Sequence, residues 1–144
     1  MAESDSAHRR SAVICVDDIG PHTDLDGHPG CAAYRMLAPP DDFSRWLHVT
    51  YDAFEPGGAI SPHYHEGLDA DHAYYVIEGE VRAQIGDEHF DVGPRSLMIF
   101  PCEVVHGFSV VSPDGAKILR LGAAPDGRTS GGSVFVSHAG KEAS

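Results

Sequence analysis

Basic side chains are scarce in this chain: 10 lysines and arginines stand against 22 aspartates and glutamates in 144 residues, a formal net charge of -12. Without a Lys/Arg stripe it lacks the electrostatic footprint of a phosphate-backbone binder, so nucleic acid is not an expected partner, and the acidity reads as a solvated surface. Cysteine is sparse too. Cys15, Cys31 and Cys102 are odd in number and scattered, with no CxxC pair, which argues against a disulfide framework and a thiolate zinc knuckle and leaves them as small buried hydrophobes. No segment approaches the roughly 18 apolar residues of a membrane span, and MAESDSAHRRSAVICV has no signal-length apolar stretch behind a basic start, so the expected location is the cytoplasm, away from membranes. No segment shows a convincing helical period.

What the chain has instead is turn residues, 16 glycines and 10 prolines, between short apolar runs. That pattern favours many short strands, and the length suits a single domain. We expect an all-β fold over residues 12–136, a sandwich or jelly-roll barrel of antiparallel strands, with polar tails at 1–11 and 137–144. Strands are expected at 12–16, along CAAYRML, at 46–54, 74–77, 81–85, 96–100, 104–111 and 116–121, with VFV at 134–136 pairing back across the sheet or into a neighbouring subunit. Gly86-Asp87 between two strand-like runs fits a two-residue type II′ hairpin. In RWLHVTYDAF, Leu47, Val49, Tyr51 and Ala53 alternate with His48, Thr50 and Asp52, the signature of a half-buried strand.

The stretch GGAISPHYHEGLDADHAYYVIEG, residues 57–79, carries three imidazoles. Residues i and i+2 of a strand share a face, so His63 and His65 can point side by side into one cavity. Pro62 keeps the lead-in extended, and His72 opens the following strand. His106, in VVHGFSVV, comes later from a third strand. Such a nitrogen-rich set suits a divalent transition metal better than Mg or Ca, although the spacing alone also fits chance in a His-rich chain.

The stretch resembles the first cupin motif: glycine, five residues, H-x-H, then a glutamate, six residues and glycine. Gly57, His63, His65 and Gly79 match. His72 stands in the glutamate's slot, after a loop two or three residues longer than usual. The second motif ends P-x-G-x-x-H, and Pro101 and His106 keep its proline and histidine. Glu103 replaces the glycine, Arg95 stands where the opening glycine would fall, and Val110 replaces the trailing asparagine. The resemblance covers residues 46–121 and implies a cupin jelly roll with His63, His65 and His106 as metal ligands. His72 matches by position, with Asp69, Asp71 or Glu66 as alternative fourth ligands. It implies one divalent transition metal per chain, zinc first, with Fe, Ni, Mn or Cu as alternatives.

The lead-in VDDIGPHTDLDGHPGCAAYRMLAP is similar to that of actinomycete cupin-type aromatic polyketide cyclases of the tetracenomycin and resistomycin type. This resemblance implies a metal-dependent, redox-neutral cyclase of antibiotic biosynthesis, joining a poly-β-ketone, free or bound to an acyl carrier protein, by regioselective intramolecular aldol condensation and dehydration. It also implies a homodimer, with residues 131–138 as a candidate exchanged strand. The expected cavity wall is Leu47, Val49 and Tyr51, or the opposite face with Trp46 and His48, together with Tyr74, Val76, Met98, Phe100 and Phe108. Tyr64, Tyr74 and Tyr51 are candidate hydrogen-bond donors to an enolate, and His48 is a candidate base. Rival readings are a cupin dioxygenase cleaving a β-diketone or flavonol-like substrate, and a non-catalytic small-ligand-binding cupin.

Overall fold

A computed structural model of the protein describes residues 10–39, 43–125, 128 and 132–136. Ten strands follow in chain order: β1 Cys31–Leu37, β2 Leu47–Phe54, β3 Ala59–His65, β4 Asp71–Glu78, β5 Val81–Ile85, β6 Glu88–Val92, β7 Leu97–Pro101, β8 His106–Val110, β9 Ala116–Ala123 and β10 Ser133–Phe135. They build two five-stranded sheets, β1-β2-β9-β4-β7 and β10-β3-β8-β5-β6, antiparallel throughout. This is the expected all-β jelly roll.

The apolar runs fill the space between the sheets. Phe54, Ile60, Val76, Val81, Phe108, Val110 and Ile118 pack there, with Met98 and Phe100 from β7. Between β5 and β6 the Gly86-Asp87 turn has Gly86 at φ 61, the positive value that the first position of a type II′ turn demands. Arg95, in a motif slot usually held by glycine, also keeps a positive φ of 68, and its N–H donates to the Val76 carbonyl at 2.8 Å. The backbone bend has survived the loss of the glycine.

One sequence expectation fails here. Residues 12–16 form no strand; a short 3-10 turn, Val16–Asp18, follows instead. The edge of β1 that such a strand would occupy is taken by an isolated bridge, with His22 and Ala33 exchanging hydrogen bonds of 2.7 and 2.9 Å. The terminal strand, expected at 134–136, pairs at Ser133–Phe135 with β3 of the same chain, Val134 opposite Tyr64. Residues 131, 137 and 138 of the proposed exchange segment, and the tails at 1–9 and 137–144, lie outside the described residues.

The feature that positions the histidines is a bulge. Ile60 pairs with Phe108 and His63 with His106, so β3 takes three steps where β8 takes two. Pro62, which has no N–H to offer a ladder, sits in that interval. Because side chains alternate, one extra residue turns the odd-numbered His63 and His65 to the inner face already used by Ile60. Opposite the bulge, a Cβ on Gly107 would lie 2.6 Å from the Ile60 carbonyl oxygen and 2.9 Å from Pro62 Cα. Gly107→Ala should therefore force β3 and β8 apart and cost about 1–3 kcal/mol, seen as a thermal midpoint several degrees lower; an unchanged midpoint would show that the strands separate freely.

Candidate metal centre

Four imidazoles meet at one end of the sandwich. His63 and His65 come from β3, His106 from β8 and His72 from β4 of the facing sheet, and all four are buried. The ligating nitrogens of His63, His65 and His106 lie within 4.8 Å of one another. His72 stands just outside that set, its ring 5.1 Å from that of His65. The ring centroids of His63 and His106 are 4.4 Å apart.

Neighbouring groups fix which nitrogen of each ring faces the centre. His63 Nδ1 lies 2.8 Å from the Ser61 carbonyl and His106 Nδ1 2.8 Å from that of Val104, so each Nδ1–H donates to backbone and each Nε2 keeps a lone pair. Ser133 Oγ stands 3.4 Å from His65 Nδ1, and Cys102 Sγ 4.0 Å from His72 Nδ1. His106 Nε2 is buried with no hydrogen-bond partner. A buried imidazole acceptor left unpaired is costly in a purely structural role, so the donor set fits a transition metal held by nitrogen.

The electrostatics keep His63 and His106 neutral. Burial, reinforced by the three neighbouring imidazoles, pushes His106 down to about 3, and burial also lowers His63. Neutral imidazole is the form that binds metal. Phe100 stacks on His106 at 4.0 Å and Phe135 lies 5.4 Å from His63, so aromatic rings wall the centre from two sides.

Residues 51–121 match the cupin domain family. The chain is a cupin. The polyketide cyclase RemF from Streptomyces resistomycificus superposes with a TM-score of 0.72 over 90% of this chain and 89% of its own, at 20% identity. A predicted oxalate decarboxylase from Thermotoga maritima superposes with a TM-score of 0.68 over 78% and 98%, at 16% identity. These similarities are ones of fold. By sequence, 58 residues, 40% of the chain, are 36% identical to a gentisate 1,2-dioxygenase from Haloferax sp., of which they span 14%.

The burial of β2 decides between the two faces expected for the cavity wall. Thr50 and Asp52 are fully buried, so the inner face is the polar one, His48, Thr50 and Asp52. Tyr51 points outward with Val49 and packs edge-on against Tyr34. Leu47 is 44% exposed and Trp46 51%; Trp46 lines a surface cleft with Asp71 and residues 123–125, and Val49 lines a groove under residues 10–14. None of these four walls the site. Tyr64 also leaves the candidates, because alternation turns it away from the face that His63 and His65 share. Tyr74, Val76, Met98, Phe100 and Phe108 are buried inside, with Tyr74 in ring contact with Phe100 and Phe108. Glu66, Asp69 and Asp71 are exposed, so among the described residues no carboxylate joins the imidazoles.

Several site residues escaped the sequence reading. Arg120, on β9, faces Asp52 with its Nη2 3.1 Å from Oδ1 and its Nε 3.0 Å from Oδ2. Burial pushes the Asp52 carboxyl up, and the guanidinium pulls it back down. A charged residue inside the apolar run AKILRL was the available signal. Phe135 and Ser133 on β10 and His28 in the loop before β1 carried none.

His48 lies inward on β2, beside the site. Burial, then the charges of Arg120 and Arg35, lower it from 6.5 to about 4. The unfolded chain therefore binds the extra proton between those values, so this contribution to stability is complete above 6.5 and is lost as pH falls towards 4. His48→Asn should flatten the fall in thermal midpoint from about pH 7 to about pH 5; an equally steep fall would assign the dependence elsewhere.

Proposed function

We propose that this cupin is a cytoplasmic, zinc-dependent polyketide cyclase that closes a ring in a poly-β-ketone by aldol condensation and dehydration, without net redox change. The observation that carries the reading is the all-imidazole centre, with His72 in the slot where the cupin motif has glutamate and, among the described residues, no carboxylate beside it. Nearly full-length overlap with a polyketide cyclase supports it. We take His72 as the fourth ligand beside His63, His65 and His106. The metal, when bound, supplies Lewis acidity that polarises a carbonyl oxygen, and replacing a carboxylate ligand by imidazole makes the site more electrophilic.

The chain's own groups do the rest. A methylene between two carbonyls of the substrate loses a proton, its carbon attacks a second carbonyl carbon, the alkoxide so formed is protonated, and water then leaves. Tyr74, its phenol pushed up to about 12 mainly by burial, stays protonated at neutral pH and can donate a hydrogen bond to an oxyanion. His48 is a neutral imidazole positioned to accept a proton through its lone pair. Phe100, Phe108 and Phe135 exclude water and restrict how the chain folds. The exposed Leu47, Leu97 and Ile99 on the outer face of the first sheet support a homodimer.

A second reading, a cupin dioxygenase, draws on the local match to gentisate 1,2-dioxygenase and would use the same imidazoles with a redox-active metal. Elemental analysis and an anaerobic assay separate the two. We expect about one zinc per chain, largely lost in His72→Ala, and ring closure of a poly-β-ketone without oxygen. Iron, nickel or copper together with substrate-dependent oxygen consumption would replace the cyclase with the oxygenase. Full metal retention in His72→Ala would remove His72 from the ligand set.

A further inference from the structure

Among the described residues, the buried side-chain atoms left without a hydrogen-bond partner are His106 Nε2, Thr50 Oγ1, Asp52 Oδ2 and Arg120 Nε. Unpaired buried polar atoms are rare because each loses its solvation without compensation. His106 belongs to the metal centre. The other three cluster on the inner face of the opposite sheet, where nothing in the metal chemistry explains them.

Their placement follows from register. Arg120 pairs with Thr50 on one side and Tyr74 on the other, forming one row across β2, β9 and β4. The next row, about 7 Å along the strands, is His48, Gly122 and His72. Gly122 contributes no side chain between the two imidazoles. Asp52 holds the guanidinium from one side, and although Nε and Oδ2 are 3.0 Å apart they are not aligned for a hydrogen bond.

We propose that the row Thr50, Arg120 and Tyr74 is an oxyanion-binding wall facing the histidine centre, and that it takes the enolate oxygens of a β-dicarbonyl unit. The guanidinium offers planar N–H donors, the Tyr74 phenol offers an O–H, and the Thr50 hydroxyl can donate or accept. Such a set distinguishes a delocalised enolate from a neutral ketone of the same size. Asp52 acts as a positioning residue: it fixes the guanidinium plane, and its carboxylate lowers the cost of holding a cation inside the sandwich. The wall deepens the cyclase reading by naming the substrate feature recognised, and it rests on that reading only for the choice of a β-dicarbonyl.

The test is calorimetric titration of the zinc-loaded full chain with acetylacetone, a β-diketone that forms an enolate readily, and with 2-pentanone, which is similar in size and does not. The readout is the ratio of the two affinities. The wild type should prefer acetylacetone; Asp52→Asn combined with Arg120→Gln, which keeps both side chains polar while removing both charges, should lower that preference at least about tenfold. Since that double variant could lose its fold, Thr50→Val is the second probe. Removing an unpaired hydroxyl should leave the thermal midpoint equal or higher while the preference for acetylacetone falls several-fold. No preference in the wild type, or an unchanged ratio in Thr50→Val and in a folded double variant, would overturn the wall. Metal content and the anaerobic assay decide the cyclase reading separately, so loss of either leaves the other to be judged on its own result.

Discussion

Between Ile60 and His63, strand β3 carries one residue more than its partner β8, and the inward direction of His63 and His65 depends on that difference. Without the bulge, side-chain alternation would keep Ile60 inside and send His63 and His65 to the outer face. Pro62 makes the irregularity tolerable because it has no N–H to lose from the ladder, and Gly107 leaves the space into which the displaced backbone fits. His63 then pairs directly with His106, and two backbone carbonyls, those of Ser61 and Val104, orient the two rings.

Around this hinge the sandwich is divided along its length. One end is a conventional apolar core of Ile60, Val76, Val81, Val110 and Ile118. At the other end the inner faces turn polar, with four histidines flanked by Phe100 and Phe135, and the Asp52–Arg120 pair bridges the two regions, Asp52 sharing a row with Ile118. Buried polar and charged groups at this density add little to stability by themselves. Their presence inside a domain whose outer face carries Leu47, Val49 and Tyr51 points to a function that required them, and local departures from good patterning are where functional sites are expected.

Arg95 shows the same economy on a smaller scale. The cupin motif has glycine in this slot, and the chain retains the left-handed backbone there with an arginine, a strain the neighbouring hydrogen bond to Val76 helps to hold. Glu103, in the other substituted glycine slot of the motif, is exposed and is not among the residues with positive φ. The motif's glycines thus have different requirements: one substitution keeps an unusual backbone and the other needs none.

By itself, the sequence determined the all-β class and most strand positions, because these depend on local quantities: residue spacing, turn chemistry and the period of apolar runs; the candidate ligands His63, His65 and His106 followed from the resemblance to the cupin motifs, since their spacing alone left a metal site open. It also placed His72 at the head of β4. It left open which face of β2 is inside, since Leu47, Val49 and Tyr51 alternate with His48, Thr50 and Asp52 as well in one orientation as in the other. Only strand pairing, through the registers of β2, β9 and β4, decided that the polar face looks inward and that Tyr51 and Tyr64 do not. The same long-range pairing brought Arg120 to Asp52 across 68 residues of chain and laid Phe135 against His63. Contacts of that kind have no periodicity along the chain, because they are set by which strands become neighbours when the two sheets close over a shared core.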